Sequence, residues 1–296
     1  MEIVFLGTSS MVPTKERNHS SIIIIFDGDG TLVDCGEGTQ RQLKIAGIKP
    51  SVVSRILISH WHGDHVLGLP GLISTLSATE YAKPLEIYGP KDTAKRMELM
   101  ENVFVFDRKI ELTVKEVERG IVMETKKYYI ETLPLEHNVP CQGYNFIEKD
   151  RRKINLKAAK KLGIPEGPLL GKLQDGMEIE FRGKKIKPDE VTEIVKGKKI
   201  TLIADTIPTA NATILAQDAD ILICESTYAS DMADKAEKHA HMTAKQAAQI
   251  ANVANVKKLF LTHFSARYTT PGILEEDAKD IFSNTEAAYD FKRVRL

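Results

Sequence analysis

Four short apolar runs in this chain each stop on a residue able to bind a metal. Ile56-Leu57-Ile58 leads through Ser59 to His60, LPLE leads to His137, LIA to Asp205 and LFLT to His263. Each reads as an apolar strand, and Arg55–Ile58 is short enough to be buried on both faces. Strand ends gathered on one edge of a sheet bring residues that are distant in sequence to a single site. A lone histidine at a strand end is ordinarily just hydrogen-bonded; the repetition is what argues for a metal centre.

The densest part is the stretch ISHWHGDHV. In an extended segment residues i and i+2 point the same way, so His60 and His62 can chelate one ion. Gly63 lets the chain turn and aim Asp64 and His65 at a second. The alternative is a solvated polar loop, but the chain has only 8 histidines and three of them fall within six positions here. Imidazole and carboxylate suit zinc. Two divalent ions sharing a carboxylate sit roughly 3.5–4 Å apart and make a water acidic near neutral pH. That chemistry serves hydrolysis of phosphodiesters, amides, lactones and thioesters alike, so the cluster does not name a substrate.

The remaining pattern is mixed. Strands are expected at Ile3–Leu6, Ser21–Phe26, Thr31–Val33, Arg55–Ile58, Leu85–Tyr88, Ile110–Val114, Tyr128–Leu133, Lys199–Ala204, Ile221–Cys224 and Lys258–Leu261. Helices are expected at Thr39–Ala46, from Pro70 to about Ala78, at Asp92–Met100 and at Thr243–Asn252, the last with capping-box spacing between Thr243 and Gln246. The turn around Asp27 to Gly30 joins two strands as a hairpin. Strands alternating with helices indicate an α/β fold.

Whole-chain charge points to no partner, since Lys plus Arg and Asp plus Glu are both 41. Locally the balance breaks. Residues 149–187 carry twelve Lys/Arg against five Asp/Glu, a net +7, around the turn-rich GIPEGPLLGKLQDG. A basic loop is ordinarily a solvated face; this one also offers attraction to a phosphate backbone. Its Gly and Pro residues lead us to expect an arm without a core of its own. Three cysteines in no regular spacing argue against a disulfide framework and fit a reducing, cytoplasmic compartment. MEIVFLGTSS lacks a basic region and an apolar run long enough for a signal peptide. No apolar stretch reaches the roughly 20 residues of a membrane span.

Several longer stretches carry a resemblance. FLGTSSMVPTKERNHSS, DCGEGTQRQL, HGDHVLGLPGL, EHNVPCQGY, GIPEGPLLGKLQDG, ESTY, HMTAKQAA and HFSARY occur in this order along the whole chain. Together with the His-x-His-x-Asp-His run, the sequence resembles the ribonuclease Z family, the tRNA 3′-processing endoribonucleases of the metallo-β-lactamase superfamily. The resemblance implies a four-layer αββα sandwich with two mixed sheets, as a single domain over 1–296 with residues 149–187 inserted as a tRNA-binding arm, and a homodimer. It implies two zinc ions per subunit, one held by His60, His62 and His137, the other by Asp64, His65 and His263, with Asp205 bridging. Asp64 would also take the proton of the attacking water.

His241 stands two residues before the helix that Thr243 caps. Helix starts favour a phosphate, so His241 is read as the general acid for the departing 3′ oxygen, with Glu225 orienting it; a surface histidine and a solvated carboxylate are the bland alternatives. His239 is read as surface and His19 as a structural turn residue. Asp34 in DCGEG is read as orienting metal ligands through hydrogen bonds. Arg267 is a candidate phosphate contact or else an ion-pair partner. Gly167, Pro168 and Lys172 are candidate tRNA contacts at the arm tip.

Two departures stand out. The family often places a basic residue after the bridging aspartate, where this chain has Ile207, and Trp61 is large for a position between two ligands. The expected activity is removal of the 3′ trailer of precursor tRNA, leaving a 3′-hydroxyl on the tRNA and a 5′-phosphate on the trailer. Alternatives are a two-metal hydrolase of small phosphodiesters or sulfate esters, and a non-catalytic RNA-binding protein with structural metals.

Overall fold

A computed structural model describes residues 1–79, 81, 83–105 and 109–296. Two seven-stranded sheets form its centre. In the first the order is Arg293–Arg295, Glu2–Gly7, Ser21–Phe26, Asp29–Val33, Val53–Leu57, Leu85–Gly89 and Leu112–Glu116. Its early strands pair antiparallel, and from Asp29–Val33 onward the pairing is parallel. In the second the order is Thr285–Ala287, Leu259–Thr262, Ile221–Glu225, Lys199–Ile203, Cys141–Glu148, Tyr128–Leu135 and Gly120–Glu124, with its first four strands parallel.

The alternation of side chains explains why the strands read as unbroken apolar runs. In Glu2–Gly7, Val4 and Leu6 join a core with Leu43, Leu69, Leu72, Ile73, Leu76 and Met97 from the helices Thr39–Ile45, Leu69–Ala78 and Thr93–Val103. Phe5 faces the other way and meets Phe260 of the second sheet, ring centroids 5.7 Å apart. The outer face of the second sheet packs on Ala210–Ala216, Ala244–Val253 and Gly272–Lys279. Helix, sheet, sheet and helix thus make four layers, and burial on both faces removes the polar half of the strand pattern.

Local chemistry sets the connections. Phe26 pairs with Asp29, leaving Asp27 and Gly28 as a two-residue turn with φ of 55° and 80°; positive φ at both positions matches the right-handed twist of the strands. Thr243 and Gln246 form the expected capping box. Close backbone crossing explains two glycines near the site. A Cβ at Gly68 would lie 2.1 Å from the Gly36 carbonyl oxygen, and one at Gly36 would lie 2.5 Å from that of Asp64.

Residues Glu124–Tyr129 and Ile147–Lys198 form a separate compact unit. Here the sequence expectation fails, because this unit has a core: Ala159, Ile164, Leu170, Leu173, Ile179, Ile186 and Val191 are buried together. Gly167 and Pro168 do not simply turn the chain. Pro168 occupies the first position of the helix Pro168–Gln174, where its missing N–H and fixed φ favour helix initiation. Leu170 and Leu173 on that helix point into the core, while Lys172 is exposed. Lys157, Lys160, Lys161 and Lys184 are exposed as well.

Candidate metal and catalytic centre

Four of the expected ligands follow the carboxyl ends of strands, where α/β sheets place their sites. His60 follows Val53–Leu57, His137 follows Tyr128–Leu135, Asp205 follows Lys199–Ile203 and His263 follows Leu259–Thr262. His263 adopts φ of 61° and Asp34 φ of 57°, a left-handed conformation that costs a non-glycine residue about 1–2 kcal/mol. Close to the centre, such strain marks a side chain aimed against backbone preference.

Two constellations and a third that overlaps them result. His60, His62, His137 and Asp205 bring one candidate ligand atom each within 4.8 Å of one another, so do Asp64, His65 and His263, and so do Asp205, His241 and His263. His60 Nε2 is 3.0 Å from His62 Nδ1, which is 3.3 Å from His137 Nε2. Asp205 Oδ2 lies 3.7 and 3.9 Å from His60 and His137 Nε2. Across the carboxylate, Asp205 Oδ1 lies 3.5 and 3.3 Å from His65 and His263 Nε2. Those nitrogens are 3.2 Å apart, and Asp64 Oδ2 is 3.4 Å from each. Four ligands placed tetrahedrally at zinc's usual 2.0–2.1 Å would stand about 3.3 Å from one another. The observed spacings centre on that value, and the two oxygens of Asp205 face one constellation each.

The polar accounting fits an ion too. Asp205 Oδ1 is buried without a hydrogen-bond partner, which is costly unless something positive satisfies it. Four imidazoles spend Nδ1 on an outward acceptor. His65 Nδ1 donates to Asp34 at 2.7 Å, His60 Nδ1 to Ser59 Oγ at 3.0 Å, His137 Nδ1 to the Ala240 carbonyl at 2.8 Å and His263 Nδ1 to Thr227 Oγ1 at 3.0 Å. Each then presents Nε2 as an inward lone pair, the arrangement that fixes metal-binding histidines. His62 alone turns Nδ1 inward. Burial holds His60 and His62 below the usual imidazole range, so both are neutral and ready to coordinate. Burial disfavours the charged forms of Asp64 and Asp205, yet the surrounding imidazoles outweigh it and keep both ionised.

Asp34 bonds residues beside both constellations. Besides His65 it binds Ser59 through both carboxylate oxygens, each at 2.7 Å. Thr227, within ESTY, is a functional residue that sequence reasoning misses. Its hydroxyl donates to Glu225 Oε2 at 2.7 Å and accepts from His263, tying a ligand to a carboxylate. A single threonine has no spacing signature, so only the fold reveals it. Thr227→Val keeps the shape and removes the hydroxyl; metal affinity measured by competition with a chelator is expected to fall about 10–100-fold.

His241 stands beside both constellations, its ring 5.3 Å from that of His137 and 5.5 Å from that of His263. Its Nδ1 is committed to Glu225 Oε1 at 3.0 Å. Glu225 is fully buried and also accepts from the Thr206 backbone N–H at 2.9 Å. Burial pulls the His241 pKa down, but the Glu225 charge and hydrogen bond, with Asp205 beyond, raise it to about 9. His241, Asp64, His62, His137 and Asp205 line a cleft of about 640 Å³.

Comparison with known proteins agrees with this geometry. Residues 14–150 match the metallo-β-lactamase superfamily. Ribonuclease Z of Methanothermobacter thermautotrophicus is 41% identical over 297 residues, covering 100% of this chain and 97% of that protein. Ribonuclease Z of Archaeoglobus fulgidus is 41% identical over 300 residues, with 100% and 97% covered. This chain belongs to the ribonuclease Z family. The crystal structure of human tRNase Z, short form, superposes with a TM-score of 0.74 at 25% identity, covering 100% of this chain and 99% of that one. The fold is the metallo-β-lactamase sandwich, and its His/Asp clusters make it a divalent-metal site.

The departures from the ribonuclease Z pattern now have places. Trp61 turns away from the ligands; its indole N–H donates to Thr93 Oγ1 at 2.8 Å, and Arg96 lies 6.0 Å from its ring. Ile207 lines a second cleft with Glu136, His137, Asn138, Pro140 and Ala240. His19 Nε2 bonds the Met11 carbonyl at 3.0 Å, and His239 is exposed. Arg267 has no carboxylate partner among the described residues; it lies 5.3 Å from the Tyr228 ring. Among the described residues no helix is long and apolar enough to cross a membrane.

Proposed function

We propose that the protein is a dinuclear zinc endoribonuclease that removes the 3′ trailer of precursor tRNA by phosphodiester hydrolysis. The observation that carries this reading is Asp205, whose two buried oxygens each face a separate His-rich constellation. His60, His62 and His137 would hold one zinc, Asp64, His65 and His263 the other, and Asp205 both. The bound pair supplies Lewis acidity, lowering the pKa of water and neutralising charge that develops on the phosphate.

The chain's own groups supply the rest. Asp64 receives the proton of the attacking water. Its Oδ2 is steadied by the Met11 backbone N–H at 2.8 Å, and it remains ionised among imidazoles. His241 donates a proton to the departing 3′ oxygen. Glu225 holds its Nδ1, leaving Nε2 for the substrate. The tRNA therefore keeps a 3′-hydroxyl and the trailer a 5′-phosphate. The basic unit around Lys157, Lys160, Lys161 and Lys172 binds the tRNA body through backbone charge and shape, with Gly167 and Pro168 among the contacts. A homodimer in the cytoplasm belongs to the same reading; the three cysteines, all buried and free, suit a reducing compartment.

A purified zinc-loaded sample incubated with a 3′-extended tRNA tests the proposal. Cleavage next to the acceptor stem with those two ends supports it; uncut RNA, or a 2′,3′-cyclic phosphate end, refutes it.

The acid sets a pH limit. His241 must be protonated to act, so activity persists below its pKa and declines as pH rises through it. The falling limb of kcat is therefore expected on the alkaline side, set by the raised pKa of His241, about 9. Glu225→Gln removes the charge that lifts the imidazole, so the limb should move to lower pH. A limb that stays put would dissociate Glu225 from His241.

A further inference from the structure

Beside His241, Tyr228 and Lys235 line the cleft, and Arg267 stands against the same Tyr228 ring. Tyr228 presents its ring to His241, centroids 6.2 Å apart at 68°. The Lys235 ammonium lies 5.9 Å and the Arg267 guanidinium 5.3 Å from the centre of that same ring. Lys235 and Arg267 have no carboxylate within ion-pair distance among the described residues. An aromatic face favours a cation without neutralising it, so Tyr228 steadies both charges and leaves them available.

The loop presenting Arg267 is also braced. Arg17 is buried, and its guanidinium donates to the carbonyls of Ser265, Tyr268 and Thr269 at 3.4, 2.7 and 3.3 Å. The Tyr268 hydroxyl accepts from the Ala229 backbone N–H at 2.8 Å, beside Tyr228. Arg267 itself donates through Nε to Ser265 Oγ at 3.2 Å. A loop held in this way by buried bonds gives Arg267 a fixed base.

We propose that Lys235 and Arg267, steadied by Tyr228, form a subsite for the phosphodiester immediately 5′ to the last tRNA nucleotide, one phosphate upstream of the scissile one. This rests on His241 being the acid for the 3′ oxygen. That oxygen belongs to the last tRNA nucleotide, so the nucleotide lies on the His241 side of the cleaved bond. Its own 5′ phosphate is then the next anion met beside His241, where the two uncompensated cations stand. Holding that phosphate fixes the leaving ribose against the acid, and positioning of this kind contributes to rate as well as to binding.

The test is a cycle between protein and RNA. A precursor tRNA carries one neutral methylphosphonate in place of that phosphodiester. On this RNA the wild-type enzyme should show a KM raised roughly tenfold, as for removal of a charge-assisted hydrogen bond. The Lys235→Ala/Arg267→Ala variant should show a similar rise on unmodified RNA, and no further rise on the methylphosphonate. Its metal content should match wild type, and the Lys235→Arg/Arg267→Lys variant should restore most of the affinity. Effects that multiply, or a wild-type enzyme indifferent to the substitution, overturn the subsite while leaving the endonuclease reading intact. Failure of the wild type to cut unmodified RNA removes that reading and the subsite with it.

Discussion

His241→Ala is expected to lower kcat on precursor tRNA by about 10²–10⁴-fold, the usual contribution of a positioned general acid. Metal content should stay unchanged, because Glu225 occupies His241 Nδ1 and two of the three candidate ligand groups are complete without it. A second substrate isolates the chemistry. If the bridging 3′ oxygen at the scissile bond is replaced by sulfur, the leaving group is a thiolate. A thiol ionises near pH 8.5, so this group departs without a proton. The variant should then recover most of its activity on the sulfur substrate. An equal defect on both substrates would assign His241 to charge stabilisation or packing instead.

The second large effect concerns the basic unit. Its two ends meet: the Glu148 backbone N–H donates to the Lys198 carbonyl at 2.8 Å, and Arg151 pairs with Val195. Excising 152–194 and closing the gap with a short turn therefore asks little of the sheet strands Cys141–Glu148 and Lys199–Ile203. Because the unit has a core of its own, its removal strips no buried residue from the two main cores. On tRNA, kcat/KM is expected to fall by about 10²-fold or more. The log–log dependence on salt should flatten by about 0.7–0.9 for every phosphate that the unit no longer neutralises. Hydrolysis of a small phosphodiester should continue. A variant without either activity would place the basic unit in support of the metal centre.

The sequence exposes the metal centre unusually well, for a physical reason. Buried parallel strands are short and apolar, so the polar residue ending each one is conspicuous, as at His60, Asp205 and His263; His137 instead follows Tyr128–Leu135, a longer strand outside the parallel run that alternates buried and half-buried residues. The capping box at Thr243 and Gln246 is readable because it depends on fixed local spacing. Interactions made across the fold are not. Thr227 joins Glu225 to His263 only because neighbouring strands set them side by side, and no spacing encodes that. Pro168 is ambiguous in a different way, since proline both ends and begins helices. Which it does here depends on Leu170 and Leu173 finding a core, and that core draws on residues from Ala159 to Val191. Trp61 looks obstructive between two ligands because a one-dimensional reading places its indole beside them; in the fold the ring points to Thr93.

The proposed mechanism rests on one carboxylate serving two ions. Anomalous diffraction at the zinc edge, from crystals of the metal-loaded protein, tests this most directly. Two peaks roughly 3.5–4 Å apart, one on each side of Asp205 and each beside its own histidines, are the expected result. A single peak at full loading, or two that do not share Asp205, would contradict it.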